Sequence, residues 1–374
     1  MEKPVLVYFN PDCFTQVDDT VLHHLTKEFN VVWFYMYESL QANSMRYNPE
    51  RAKAYADKYG FTLEIVDPKM RRRNLKNRFF YHKVADRVNN YNPVIVYACN
   101  VFPFWMYTYK RIKCKNKVLG LHDVSMHTYK FSLIKLWTQC KKEKWIKRFS
   151  NLITFSSNQH DLLKQKFGKE SYMVGMSYKL FGESKITTPP VKEGLKILFF
   201  GIISKYKGLD NLIEVLEQLK KAGINNIKLT IAGRGESWID CQSLIKTPEL
   251  YNLQIRFIKN EEIPDLMSSH HFMVLPYRDA TQSGPLVTAL GYGLPVIAPN
   301  YGCFKETLNN ESAIIYPQDE LYTTMKKVSY LTQSEYDRLK NGMMRLREKY
   351  SEEKIADNYI NAFNDIIHGA DTNY

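Results

Sequence analysis

The loop Thr281-Gln282-Ser283-Gly284-Pro285 follows an apolar run, Phe272 to Pro276, and opens a helical pattern that ends at Gly293-Leu294-Pro295. Proline in a first helical turn loses no hydrogen bond, so the spacing predicts a helix whose free amides and positive dipole end lie at Ser283 and Gly284. Such an end is shaped for a phosphate, although a strand-loop-helix unit of this kind can also bind nothing.

Two further loops carry cations or glycines after apolar runs. Phe199-Phe200-Gly201-Ile202-Ile203-Ser204-Lys205-Tyr206-Lys207-Gly208 places two lysines and a glycine before a helix, suited to a diphosphate or equally to solvated loop charges. Ile231-Ala232-Gly233-Arg234-Gly235 is a tight turn that means little alone. In the first half, His122 and Asp123 end a strand pattern and His127 follows five residues later. These three are too few for a metal site. A structural histidine pair and a hydrogen-bonding pair for a polyhydroxyl substrate both fit, and the second is favoured once the other loops are weighed.

Elements must hold these loops. Apolar runs at 6–9, 31–37, 62–66, 94–98, 117–121 and 152–155 alternate with helix-like stretches. A second series at 195–200, 227–232, 253–258 and 272–275 repeats the alternation with helices near 209–222, 240–245 and 263–268. Runs buried on both faces, separated by helices, predict two doubly wound α/β domains of Rossmann-like type, with ligands in a cleft at the carboxyl ends of the strands. The Pro-containing stretch 186–194 is the expected linker. The domains are therefore expected at 1–188 and 189–350, with a C-terminal helix at 351–374 packing back toward the first. A cap at Thr332 with Glu335 is expected to start one of the tail helices.

With 374 residues the chain exceeds what one core usually serves. Its 44% hydrophobic and 24% charged content excludes a disordered or fibrous chain. Six scattered cysteines without CxxC spacing read as reduced thiols of a cytoplasmic protein. The apolar start, Pro4 to Phe9, reads as a strand and not as a signal peptide, and the run 94–109 is interrupted by Asn100 and Pro103. The net charge of +13 points to an anionic partner. Nucleic acid is not expected, for lack of a recognised module. An anionic membrane surface is a candidate partner, because 130–148 interleaves lysines with Trp137, Trp145 and aliphatic residues. The same pattern also fits a surface helix whose apolar face is simply core.

Taken together, Phe-Phe-Gly at 199–201, Tyr-Lys-Gly-Leu-Asp at 206–210, Ile-Ala-Gly-Arg-Gly at 231–235, Leu-Pro-Tyr-Arg-Asp-Ala-Thr-Gln-Ser-Gly at 275–284 and Tyr-Gly-Leu-Pro-Val-Ile-Ala at 292–298 resemble the GT-B glycosyltransferases, in particular the retaining family 4. The resemblance implies a UDP- or GDP-sugar as donor substrate, held mainly by the second domain. It implies a glycan or lipid-linked glycan acceptor held mainly by the first, no metal and no other cofactor. Carried over by position, Lys207 is the lysine at the donor phosphate and Gly201 the glycine that admits the phosphate to the backbone. Gln282, Ser283 and Gly284 form the diphosphate loop. Phe257, Ile258 and Glu262 lie where the base is seated, Thr288 where the ribose is held, and His122 matches the first-domain histidine that faces the donor sugar; Asp123 is expected to orient His122, and His127 is expected on the acceptor side. The chain departs from the family at Ile202, where an arginine is usual, and at Thr288, where a glutamate is usual. Lys205 or Arg234 could supply the missing cation. A retaining transferase acting on surface glycans at the inner membrane face is the expectation. A non-catalytic glycan-binding or partner-supporting GT-B protein is the alternative, and a sugar-nucleotide epimerase lacks evident first-domain carboxylates.

Overall fold

The computed structural model describes residues 2–11, 15–37, 39–41, 48–71, 74–100, 105–125 and 133–369. His127 and the start of the lysine-rich stretch at 130–132 lie outside them, as do the side chains of 133–138, including Trp137. The chain forms two compact units, residues 1–177 with 352–374, and residues 178–351.

Unit 1 alternates β1 (Val5–Pro11), α1 (Thr15–Leu22), β2 (Asn30–Met36), α2 (Pro49–Tyr59), β3 (Thr62–Val66), α3 (Asn77–Asn90), β4 (Ile95–Ala98), α4 (Trp105–Thr108), β5 (Lys117–Leu121), α5 (Leu133–Arg148), β6 (Asn151–Thr154), α6 (Ser157–Phe167) and β7 (Tyr172–Met173). Unit 2 continues with β8 (Leu195–Phe200), α7 (Leu209–Lys221), β9 (Ile227–Ala232), α8 (Trp238–Gln242), β10 (Tyr251–Gln254), α9 (Ile263–Ser268), β11 (Phe272–Val274), α10 (Gly284–Gly291), β12 (Val296–Pro299), α11 (Gly302–Thr307), β13 (Ala313–Tyr316), α12 (Leu321–Val328) and α13 (Gln333–Arg347). The last helix, α14 (Glu352–Gly369), belongs to unit 1.

The strand orders are 3-2-1-4-5-6-7 and 10-9-8-11-12-13. The register is parallel in every pair, for example Tyr8 opposite Trp33 and Phe199 opposite Ile231. Burial on both faces explains why β1, β2 and β8 are written as apolar runs. The order reverses between β1 and β4 and again between β8 and β11, the places where doubly wound sheets receive ligands.

Local signals explain the helix ends. Asn48 caps α2 and Ser156 caps α6 through their side-chain oxygens, and Gly60 and Gly168 close these helices in the left-handed conformation. Thr332 and Glu335 form the expected capping box on α13. Inside unit 1, α14 buries Tyr359 and Phe363 against Tyr97, and Phe363 also meets Phe29 edge-on.

Several expectations shift. The run 253–258 is not one strand: Arg256 N–H bonds Gln254 O at 2.9 Å, so the chain turns away and only 251–254 pairs, at the sheet edge. The stretch 186–194 lies along unit 2, with Thr188 Oγ1 donating to Ser268 O and Val191 N to Gln333 Oε1. Strands β7 and β13 and helix α11 were not anticipated. Trp145 and Ile146 of α5 are buried in the unit 1 core with Phe149, so the apolar side of this half of the helix is core and not a membrane face. Arg148 stacks over Trp145 at 4.9 Å, while Lys141, Lys144 and Lys147 stay exposed. Among the described residues, no helix is long and apolar enough to cross a membrane.

Candidate functional site

Three loops at the carboxyl ends of β8, β9 and β11 meet in unit 2, and their glycines show how closely. Gly233 and Gly235 lie back to back with the 201–203 segment; a Cβ on either would fall within 1.9 Å of the Gly201 or Ile203 carbonyl oxygen. Ile203 N donates to Arg234 O at 3.1 Å and Gly201 N to Ala232 O at 2.9 Å. The GxG turn is therefore explained by backbone packing that supports the β8 loop.

Gly201 (φ 108°) faces the chemistry. A Cβ there would lie 3.3 Å from Lys207 Nζ and 3.4 Å from Pro285 Cγ, so the ammonium and the first turn of α10 flank one point. Lys207 is 6% exposed, its ammonium 5.3 Å from the Tyr277 ring centroid. Burial lowers its pKa from 10.5 to about 8, and among the described residues no carboxylate offsets that shift. A cation held in a half-dry pocket without an anion is prepared to receive one.

The anion-facing end of α10 is built as its sequence implies. Ser283 caps the helix, accepting from Leu286 N at 3.3 Å and donating to Tyr277 Oη at 3.2 Å, and Pro285 occupies the first turn. Gly284 is exposed, with open space where a side chain would stand. Gln282 is half-buried beside it.

Arg278 ties two of the loops together. It grips Asp210 with both guanidinium nitrogens at 2.8 and 2.9 Å and donates to Lys205 O at 2.7 Å, while its backbone N–H bonds Tyr206 O. Tyr206 meets Tyr277 edge-on at 5.8 Å. This bracket fixes the 3₁₀ turn Lys205–Lys207 and so the ammonium. Sequence reasoning assigned no role to Arg278, Asp210, Tyr206 or Tyr277. Opposite charges just beyond two neighbouring strands were the available signal.

The remaining expected residues scatter by role. Lys205 is exposed. Arg234 is also exposed, its guanidinium 5.9 Å from the ring of Phe257, which is itself 41% exposed; Ile258 beside it is core. Glu262 is occupied by structure: it pairs with both Arg256 nitrogens and accepts from Lys259 N, which holds its carboxyl down at about 2. Thr288 is buried, its hydroxyl donating to Gly284 O of its own helix at 3.0 Å. Ile202 is 67% exposed.

In unit 1, His122 follows β5, 4% exposed, with its ring stacked on Phe155 at 4.2 Å and 9°. Val124 N donates to buried Gln159 Oε1 at 2.6 Å, pinning this loop to α6. Asp123 is half-buried and near enough to Lys142 of α5 to raise its pKa against a larger lowering by burial.

Residues 194–333 match the family described as glycosyl transferases group 1. The O-antigen chain mannosyltransferase RfbU of Salmonella typhimurium is 23% identical over 211 residues, 55% of this chain and 58% of that protein, so the match spans little more than half of the relative. The Anabaena protein HepE in complex with UDP and glucose is similar in fold, with a TM-score of 0.71 at 14% identity over 97% of this chain and all of that one. The lipopolysaccharide outer core galactosyltransferase WaaB aligns with a TM-score of 0.66 at 11% identity, over 96% of this chain and 99% of that chain. The chain thus has the GT-B fold of these glycosyltransferases, and residues 194–333 of its second unit are similar to the glycosyl transferases group 1 family.

Proposed function

We propose that the chain is a retaining, metal-independent glycosyltransferase that moves a hexose from a UDP- or GDP-sugar to a surface polysaccharide or lipid-linked glycan, working at the cytoplasmic face of a membrane. The observation that carries this reading is the buried Lys207 ammonium, with no carboxylate beside it among the described residues, next to Gly201 and the capped start of α10. The names of RfbU, an O-antigen chain mannosyltransferase, and WaaB, a lipopolysaccharide outer core galactosyltransferase, and the UDP bound to HepE support donor and acceptor class.

In the reaction, the bond from the sugar to the leaving phosphate breaks and negative charge grows on the diphosphate. Lys207 and the amides at Ser283 and Gly284 stabilise that charge with fixed donors. The departing phosphate takes the acceptor hydroxyl proton on the face it leaves, which keeps the anomeric configuration. His122, oriented by Asp123, holds a sugar hydroxyl as a positioning residue.

Lys207→Ala tests the reading. Calorimetry with UDP and GDP should show affinity falling by at least about tenfold, the loss expected from one charge-assisted contact, with the melting temperature nearly kept. Equal affinities would overturn the phosphate role. A second reading, a GT-B protein that binds nucleotide or glycan without turnover, is favoured by exposed Ile202 and by the Thr288 hydroxyl bonded to Gly284. Tight nucleotide binding together with no donor hydrolysis or transfer would select it.

A further inference from the structure

Away from the loops described above, the start of α14 meets the 3₁₀ turn His24–Lys27 of unit 1. Here His23, His24 and Glu352 converge, one potential ligand atom from each lying within 4.8 Å of the other two. His24 Nε2 and Glu352 Oε2 are 3.7 Å apart. In a tetrahedral site with bonds of about 2.0 to 2.2 Å, neighbouring ligands stand roughly 3.4 Å apart, so this edge is nearly formed, and rotation of the His24 and Glu352 side chains would close the two edges to His23.

The orientation of His23 is set from behind. Its Nδ1 lies 2.9 Å from Tyr55 Oη, and the single Tyr55 proton is donated to the Asp19 carbonyl. Nδ1 must therefore be the donor to Tyr55, which leaves the lone pair on Nε2. A ring whose far nitrogen is held by such a bond is arranged as metal-ligating histidines are. Stacking fixes its plane: Tyr59 covers it at 4.3 Å and 24°, and His24 lies 4.0 Å away. The nearby lysines have other partners, Lys27 with Glu353 and Lys58 over the Tyr59 ring.

We propose that His23, His24 and Glu352 bind a divalent metal ion of the zinc class, with water in the fourth position. Two imidazoles and one carboxylate select such an ion over calcium or magnesium, which prefer oxygen. The ion would fasten the first turn of α14 to the turn after α1, a structural clasp inside unit 1 that plays no part in the donor chemistry.

Tag-free protein stripped with chelator should take up Zn²⁺ in a saturable 1:1 step by calorimetry. It should give the visible absorption of tetrahedral Co²⁺ and melt at higher temperature with either ion. Glu352→Gln keeps the side-chain shape and should lose the Co²⁺ band and at least about tenfold in affinity; Tyr55→Phe, which removes the hydroxyl that orients His23 along with its bond to Asp19 O, should cost about tenfold. His24→Ala should abolish the step. UDP binding should be equal in all variants, a readout independent of the metal. Zn²⁺ affinity unchanged in Glu352→Gln, or no saturable uptake by the wild type, would overturn the proposal. Should His24→Ala fail to fold, the two near-isosteric variants decide it.

Discussion

A lysine buried beside an aromatic ring with no carboxylate is costly to keep charged, and the cost shows as a pKa of about 8 for Lys207. The unfolded chain holds this proton up to about 10.5, so between the two values the unfolded state binds more protons. The penalty on folding is thus full below pH 8 and is relieved as pH rises toward 10.5. A diphosphate reverses the balance by favouring the ammonium. Nucleotide binding at pH 8 to 9 should therefore take up protons, measurable by calorimetry in buffers of different ionisation enthalpy, and affinity should fall as pH rises through 8. Lys207→Met should remove the uptake; its persistence would assign the proton elsewhere. In the same loop, Ile202 is exposed at the position where the resemblance to family 4 implies an arginine. Ile202→Arg buries no new charge, so stability should stay within about 0.5 kcal/mol while nucleotide affinity rises. A lower melting temperature without tighter binding would contradict this placement.

At the level of elements, the site depends on loops that are clamped. Arg278 bridges Asp210 and Lys205 O in a planar two-pronged geometry that lysine or glutamine cannot copy. Arg278→Gln should weaken nucleotide binding by several-fold and leave far-UV circular dichroism unchanged; equal affinity would show that the 205–207 turn holds itself. The lysine-rich helix α5 makes a contrasting case. Trp145 is core, so Trp145→Ser should cost about 3 kcal/mol and lower the melting temperature. Any attraction to anionic vesicles should instead respond to Lys141, Lys144 and Lys147 replaced by Gln, with normal melting, in a salt-dependent sedimentation assay. These contrasts mark what was legible. Central strands such as β1 and β8 announce themselves because both faces are buried, and Pro285 with Ser283 announces the helix start. The edge strands β7 and β10 do not, since their burial is partial. Nor does a sequence say which apolar face is already covered, as at Trp145. It does not say which carboxylate is already paired, as at Glu262, or that a threonine hydroxyl turns back on its own helix, as at Thr288.

Across the whole molecule, the two units should separate by function in kinetics. His122→Ala should lower turnover far more than UDP or GDP affinity, because the proposed donor contacts all lie in unit 2. Steady-state rates and calorimetry on the same preparation decide this, and an unchanged turnover number would make the His122–Phe155 stack purely structural. The membership of α14 in unit 1 has a further consequence, for the order of assembly. Residues 352–369 supply Tyr359 and Phe363 to a core whose other members were synthesised before residue 178. During synthesis, unit 1 therefore waits, with Tyr97 and Phe29 uncovered, until the last helix of the chain has been made. A released chain truncated near residue 350 should yield a protease-resistant second unit and a digestible first one. A stop codon there would damage the half of the protein that was translated earliest.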